Sequence, residues 1–256
     1  MYITINNQKI SYIDIGSGKI ILLLHGWACS KEIYNDLIDI LKTKYRVLAL
    51  DLPGFGESPE PNNSFFVDDY VKIVDEFIKQ INTKNEKVIL LGHSYGGRII
   101  IKLNSLNTKY EIEKNILIDS AGIKTKEAKR ISLKKIIYKI GKVFYSNKII
   151  EKITNKTLED YKKEHGSSDY RNASPIMRDT LVKSINEDLT PLLKNIIKPT
   201  LLIWGEKDTQ TSLSDAYIMK KEMRDAGLVI LKNCTHFSFI EDKNTFNAVI
   251  KSFLEI

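Results

Sequence analysis

Two cysteines, Cys29 and Cys234, are too few in 256 residues to build a disulfide framework. No apolar run reaches the length of about 18 residues that a membrane-spanning helix needs. Residues 1–15 alternate like a pair of strands and lack the basic stretch and apolar core of a secretory signal. Internal repeats and low-complexity linkers are missing as well. These absences leave one expectation, a single soluble cytoplasmic domain. The 43% hydrophobic content over this length is enough for a sizeable core.

An excess of positive charge is missing outside one segment. Between Lys124 and Glu164, 13 Lys or Arg stand against 5 Asp or Glu, a net of +8 in a chain of net +7, so the remainder is near neutral at −1. Within that segment Leu133, Ile136, Ile137, Ile140, Val143 and Phe144 recur at helical spacing among Lys134, Lys135, Lys139 and Lys142. The spacing predicts a basic amphipathic helix. Its first reading is a cap with its apolar face over a site and its lysines in water. An interfacial lid that makes weak contact with anionic membrane is the second. Nucleic acid is not an expected partner, because no recognised module or ordered aromatic pattern accompanies the charge.

Apart from that insertion, strands alternate with helices. Strands are predicted at 2–5, 9–15, 20–25, 46–50, 88–91, 115–118, 200–203 and 228–231. Helices are predicted near 30–42, 66–82 and 95–106, between the last two strands, and at the end. The alternation predicts an α/β fold, a mostly parallel eight-stranded sheet with helices on both faces. The expected division is a core of 1–122 and 191–256 with a helical cap, 123–190, inserted after the sixth strand.

The apolar run Val88-Ile89-Leu90-Leu91 leads directly into Gly92-His93-Ser94-Tyr95-Gly96-Gly97. Glycines two before and two after a serine remove Cβ atoms where the backbone bends sharply, so the hydroxyl can stand clear at the strand's end. Serine is a poor nucleophile at neutral pH without a base, and the chain offers four histidines. His93 should project away from Ser94. His25 begins a turn, as a structural neighbour of the site, and His165 lies in a polar segment. His236, in a loop after the last strand, is the preferred base. A base of this kind is held in one tautomer by a carboxylate. Asp208 is preferred because it follows a strand and completes the order Ser, Asp, His. Glu206 and Asp119 remain as rivals.

Gly54 and Gly56 suggest a dinucleotide loop, but Pro59 occupies the place of the third glycine and no helix can open cleanly there. No nucleotide or other cofactor follows, and no metal is needed. Cys29 and Cys234 sit on loops near the site and are expected to be inert thiols.

These motifs make the chain resemble the α/β-hydrolase family over nearly its whole length. They are His25-Gly26-Trp27, 51–58, 92–97, 202–208 and Thr235-His236. The resemblance implies that Ser94 is the nucleophile, His236 the general base and acid, and Asp208 the orienting acid. It also implies an oxyanion hole formed by the backbone N–H groups of Trp27 and Tyr95. The implied activity is carboxylesterase-like cleavage of an ester with a small or medium acyl group. Hydrolysis of a carbon–carbon bond in a diketone-like substrate, thioester or lactone cleavage, peroxyacid formation and ligand reception on a hydrolase scaffold stay open. A serine in the turn argues against the dehalogenases and epoxide hydrolases of that family, which use a carboxylate. Tyr138, Phe144, Tyr145, Tyr161, Tyr170 and Met177 are candidate pocket residues of the cap.

Overall fold

Runs such as Ile20–Leu24 are apolar at every position because a strand covered on both faces has no residue to spare for water. In the computed structural model, residues 1–124, 145–146, 157, 164 and 167–256 are described. Among them are eight strands: β1 (Tyr2–Ile5), β2 (Gln8–Gly16), β3 (Ile20–Leu24), β4 (Arg46–Leu50), β5 (Val88–His93), β6 (Ile112–Ile118), β7 (Thr200–Gly205) and β8 (Ala226–Leu231). They form one sheet in the order β1-β2-β4-β3-β5-β6-β7-β8. The β1–β2 and β2–β4 pairs are antiparallel. The other five are parallel. The sheet is thus mixed, with its antiparallel part at one edge.

Successive residues of each central strand enter different cores. Leu22, Leu24, Leu90 and Leu117 pack with Tyr70, Phe77 and Ile99. Those residues belong to α2 (Val67–Ile81) and α3 (Tyr95–Leu103). Ile21, Leu23, Leu91 and Ile118 pack on the other face with Leu37, Leu41, Phe246 and Ile250. These come from α1 (Asn35–Leu41) and the last helix, Lys243–Leu254.

Several boundaries differ from expectation. β6 starts at Ile112, which pairs with Val88 of β5; Lys114 pairs with Ile89, Glu113 sits at the register shift between them, and the polarity of Glu113 and Lys114 hides this part of the strand in the sequence. α3 stops at Leu103, where the Asn104 side chain bonds back to the Ile100 carbonyl and across to Asn115. β5 continues through Gly92 and His93. Within the predicted cap, helices span Ser168–Asn172 and Pro175–Asn186. The second starts where Ser174 Oγ accepts the Met177 N–H and Pro175 needs no donor. Its Met177 joins the main core. The amphipathic segment 133–144, Tyr161 and His165 lie outside the described residues. No helix among those described is long and apolar enough to cross a membrane.

Because β3 lies between β4 and β5, the chain leaves β3 toward one side and returns to β5 on the other. A crevice opens at such a switch point, beyond the carboxyl ends of the strands. Trp27 follows β3 and Ser94 follows β5, so both border it.

Candidate active site

The turn after β5 is as tight as its glycines suggest. A Cβ on Gly96 would lie 2.1 Å from the Leu24 carbonyl oxygen, and one on Gly92 would lie 2.6 Å from the Gly96 carbonyl carbon. Ser94 itself has φ 49° and ψ −106°, a conformation that costs a non-glycine residue about 1–3 kcal/mol. Backbone bonds to the neighbouring strand β6 and the segment after it help to hold it there. Its N–H donates to Ile118 O at 2.9 Å, and its carbonyl accepts the Ala121 N–H at 2.9 Å.

Three loops beyond β5, β7 and β8 bring side chains together from positions up to 142 residues apart. His236 Nε2 lies 2.9 Å from Ser94 Oγ, and His236 Nδ1 lies 2.8 Å from Asp208 Oδ2. His236 and Asp208 are buried, and Ser94 is half-buried. Asp208 Oδ1 accepts the N–H groups of Gln210 and Thr211 at 2.7 and 3.0 Å. Burial works against the charge on Asp208, but the bonds from His236 and Thr211 outweigh it and hold the carboxyl below its ordinary value. An ionised carboxylate can only accept, so Nδ1–H of His236 donates to it. The Nε2 lone pair is then left facing the Ser94 hydroxyl.

The rival acids are occupied elsewhere. Asp119 Oδ1 accepts the Gly205 N–H at 2.7 Å, and its Oδ2 accepts from Ser238 N–H and Oγ–H at 3.2 and 2.6 Å. Glu206 accepts the Asn233 N–H at 2.9 Å. Asp119 therefore ties β7 to the segment following His236.

Burial, partly offset by the Ser238 and Gly205 bonds, pushes the Asp119 carboxyl from 3.8 up to about 7. Between these values the folded chain keeps a proton that the unfolded chain has released, so stability falls as pH rises through the window. Asp119→Asn carries no titrating group there. The melting temperature of the unsubstituted chain should drop relative to that variant between about pH 4 and about pH 7. Parallel melting curves for the two proteins would show Asp119 to be ionised throughout.

Thr211 was not legible as a site residue. Its hydroxyl is within reach of both Asp208 Oδ2 at 2.7 Å and the Asp119 carbonyl at 2.9 Å. The three-residue spacing from Asp208, which lets a carboxylate cap its own turn, is the signal that could have found it. His25 is a structural neighbour. Its Nε2 accepts the Leu52 N–H at 3.0 Å, so Nδ1–H donates to Gly26 O at 2.7 Å. That pair of bonds joins the turn after β3 to the loop after β4.

The latter loop is built around its own carboxylate. Asp51 is fully buried and accepts from Lys31 N–H, Lys31 Nζ and Glu57 N–H. Gly54 and Gly56 take φ of 89° and 55°, and a Cβ on Gly56 would meet the Asp51 carboxylate. Glu32, Asp51 and Glu57 converge closely enough to hold a metal ion. The Lys31 ammonium takes the place between them, at 2.8, 2.6 and 3.0 Å from their oxygens.

The backbone N–H groups of Trp27 and Tyr95 have no acceptor among the described residues. The Trp27 ring is half-buried and packs edge-on against Phe55 and Tyr95, with centroids 4.9 and 5.4 Å away. It forms one wall of a cavity of about 220 Å³ bounded also by Phe55, Glu60, Asp169, Ser174 and Met177. Burial raises the Cys29 thiol to about 11 and raises that of Cys234 as well, which keeps both protonated and weakly nucleophilic.

The alpha/beta hydrolase family model matches residues 21–249, a span that includes Trp27, Ser94, Asp208 and His236. The chain belongs to the alpha/beta hydrolase family. Its relatives include the AB hydrolase superfamily protein YisY of Bacillus subtilis, 27% identical, with 94% of this chain and 93% of YisY covered. A pimeloyl-[acyl-carrier protein] methyl ester esterase of Legionella pneumophila is 24% identical, covering 94% of this chain and 97% of the esterase. Among solved structures, an esterase from Exiguobacterium antarcticum superposes with a TM-score of 0.77 at 21% identity, over 100% of this chain and 99% of that one. That last likeness speaks for the hydrolase fold.

Proposed function

We propose that this hydrolase is a serine esterase acting on carboxylic esters with a small or medium acyl group. The observation that carries the reading is the continuous hydrogen-bonded path Ser94–His236–Asp208, at 2.9 and 2.8 Å, beside the backbone N–H groups of Trp27 and Tyr95, which have no acceptor among the described residues. Ser94 Oγ attacks the ester carbonyl carbon while His236 Nε2 takes the hydroxyl proton. Negative charge then appears on the carbonyl oxygen. The N–H groups of Trp27 and Tyr95 are the donors for it, and each such donor is worth about 10²–10³ in rate.

Protonated His236 returns its proton to the leaving alkoxide, and the alcohol departs from an acyl-Ser94 ester. Water, deprotonated by the same imidazole, attacks that ester and releases the acid with Ser94 restored. Asp208 stabilises the imidazolium in both halves and stays ionised. The cavity beside Trp27 is the place for a small group of the substrate, and Met177 of the predicted cap forms part of its wall.

The test is hydrolysis of 4-nitrophenyl esters of increasing acyl length together with labelling by a fluorophosphonate. Turnover highest for short acyl chains and a covalent adduct on Ser94 are expected. A folded protein that takes no label on Ser94 would overturn the reading. Labelling with no ester turnover would move the substrate to another bond that the same machinery opens, such as a carbon–carbon bond.

A further inference from the structure

His93 lies against His236 and the turn at Gly26, although its ring is not in the Ser94–His236–Asp208 path. It is bonded in sequence to Ser94. It is 1% exposed, and its Nε2 lies 2.7 Å from the backbone carbonyl oxygen of His236. A carbonyl can only accept, so His93 carries its proton on Nε2 and donates it there. Its Nδ1 is buried with no hydrogen-bond partner. On that side the ring abuts the turn after β3. A Cβ on Gly26 would lie 2.7 Å from Nδ1, so only glycine leaves the imidazole its room. Gly26 in turn precedes Trp27, whose N–H is a proposed oxyanion donor. The rest of the ring is packed by His236, Phe237 and Phe239, with centroids 4.9, 5.1 and 5.1 Å away.

An ordinary core position would take leucine or phenylalanine at lower cost, because a buried ring nitrogen without a donor loses its hydration and gains nothing. What the imidazole supplies, and an apolar ring cannot, is one N–H aimed at the His236 backbone. That bond spans 143 residues of sequence and joins the strand that carries the nucleophile to the loop that carries the base. A displacement of about 1 Å in such a loop costs up to about 10²-fold in rate.

We infer that His93 is a positioning residue, which through its Nε2–H bond to the His236 carbonyl sets the approach of His236 to Ser94 and keeps the turn at Gly26 in register with both. The inference rests on the serine hydrolase reading. His93 exchanges no proton with substrate. The surroundings agree with a permanently neutral ring, since burial and the neighbouring His236 drive its pKa down to about 3.

The test compares His93→Gln, whose side-chain amide can place an N–H near the same carbonyl, with His93→Met, of similar length but no donor. His93→Met should lower kcat on 4-nitrophenyl acetate by about 10-fold or more with KM little changed. It should also displace the acid limb of the kcat–pH profile, which reports on His236. His93→Gln should recover most of the loss and restore the profile. Equal kinetics in the two variants would overturn the inference alone. Absence of ester turnover and of Ser94 labelling in the unsubstituted enzyme would overturn the hydrolase reading and this inference with it. Should either variant fail to fold, the unsubstituted protein decides through NMR of its ¹⁵N-labelled histidines. His93 is expected as the Nε2–H tautomer, with shifts constant from about pH 5 to about pH 8 where an ordinary histidine titrates. An Nδ1–H tautomer, or titration within that range, would overturn it.

Discussion

Ser94→Ala is expected to reduce ester turnover by at least about 10⁴-fold and to leave the melting temperature nearly unchanged. In a protease with this arrangement, losing the nucleophile costs about 10⁶ in kcat, and what remains comes from substrate binding and the oxyanion donors. The fold should hold because Ser94 Oγ is half-buried and its hydrogen bond is to His236 Nε2, a partner that water can replace. The strained backbone at φ 49° is unaffected, since alanine has the same Cβ and the bonds to Ile118 and Ala121 are made by the main chain. Initial rates on 4-nitrophenyl acetate, with thermal melting of the same samples, check both halves. A variant that kept near-normal rates would place the nucleophile on another residue.

Asp208→Asn should reduce turnover by about 10³–10⁴-fold. The local geometry explains why so small a change is so costly. Oδ1 at this position accepts two backbone N–H groups, from Gln210 and Thr211, so the asparagine oxygen must stay on that side. Its NH₂ group then faces His236 Nδ1, where the carboxylate oxygen was at 2.8 Å. An NH₂ donates, so Nδ1 must become the acceptor and the ring proton moves to Nε2. Nε2 can then no longer take the proton of Ser94. The kcat of the variant at neutral pH, set beside that of Asp119→Asn, separates the two acids. Asp119 bonds Gly205 and Ser238 and not the imidazole, so its variant should lose stability with little loss of rate. The opposite ranking would make Asp119 the orienting acid.

Much of the site was legible because its parts are carried by local patterns. Glycine spacing around Ser94 announces a turn that only small residues permit, and the contact of Gly96 with Leu24 O is the physical content of that pattern. Continuous apolar runs at β3, β5 and β7 announce strands buried on both faces. The loops after such parallel strands collect at one end of the sheet, which puts Ser94, Asp208 and His236 in one neighbourhood. Polar interruptions hid the rest. The first residues of β6 include Glu113 and Lys114, whose side chains break the apolar pattern, and Glu113 sits at a register shift that the sequence does not signal. Thr211 and His93 act through bonds whose value depends on where their partners lie in space.

Residue type and order along the chain determined the fold class, the tight turn at Ser94 and the short list of candidate acids and bases, because these rest on local sterics and on hydrophobic periodicity. Tertiary structure alone set apart the surroundings of Asp208 and Asp119, both of which follow a strand. It sent one to His236 Nδ1 and the other to Gly205 and Ser238. It also turned His93 from the neighbour of a serine into a tether for the loop of His236. The physical reason is that a hydrogen bond is set by distance and direction between two atoms. Between residues 28 to 143 positions apart, only the folded sheet sets either.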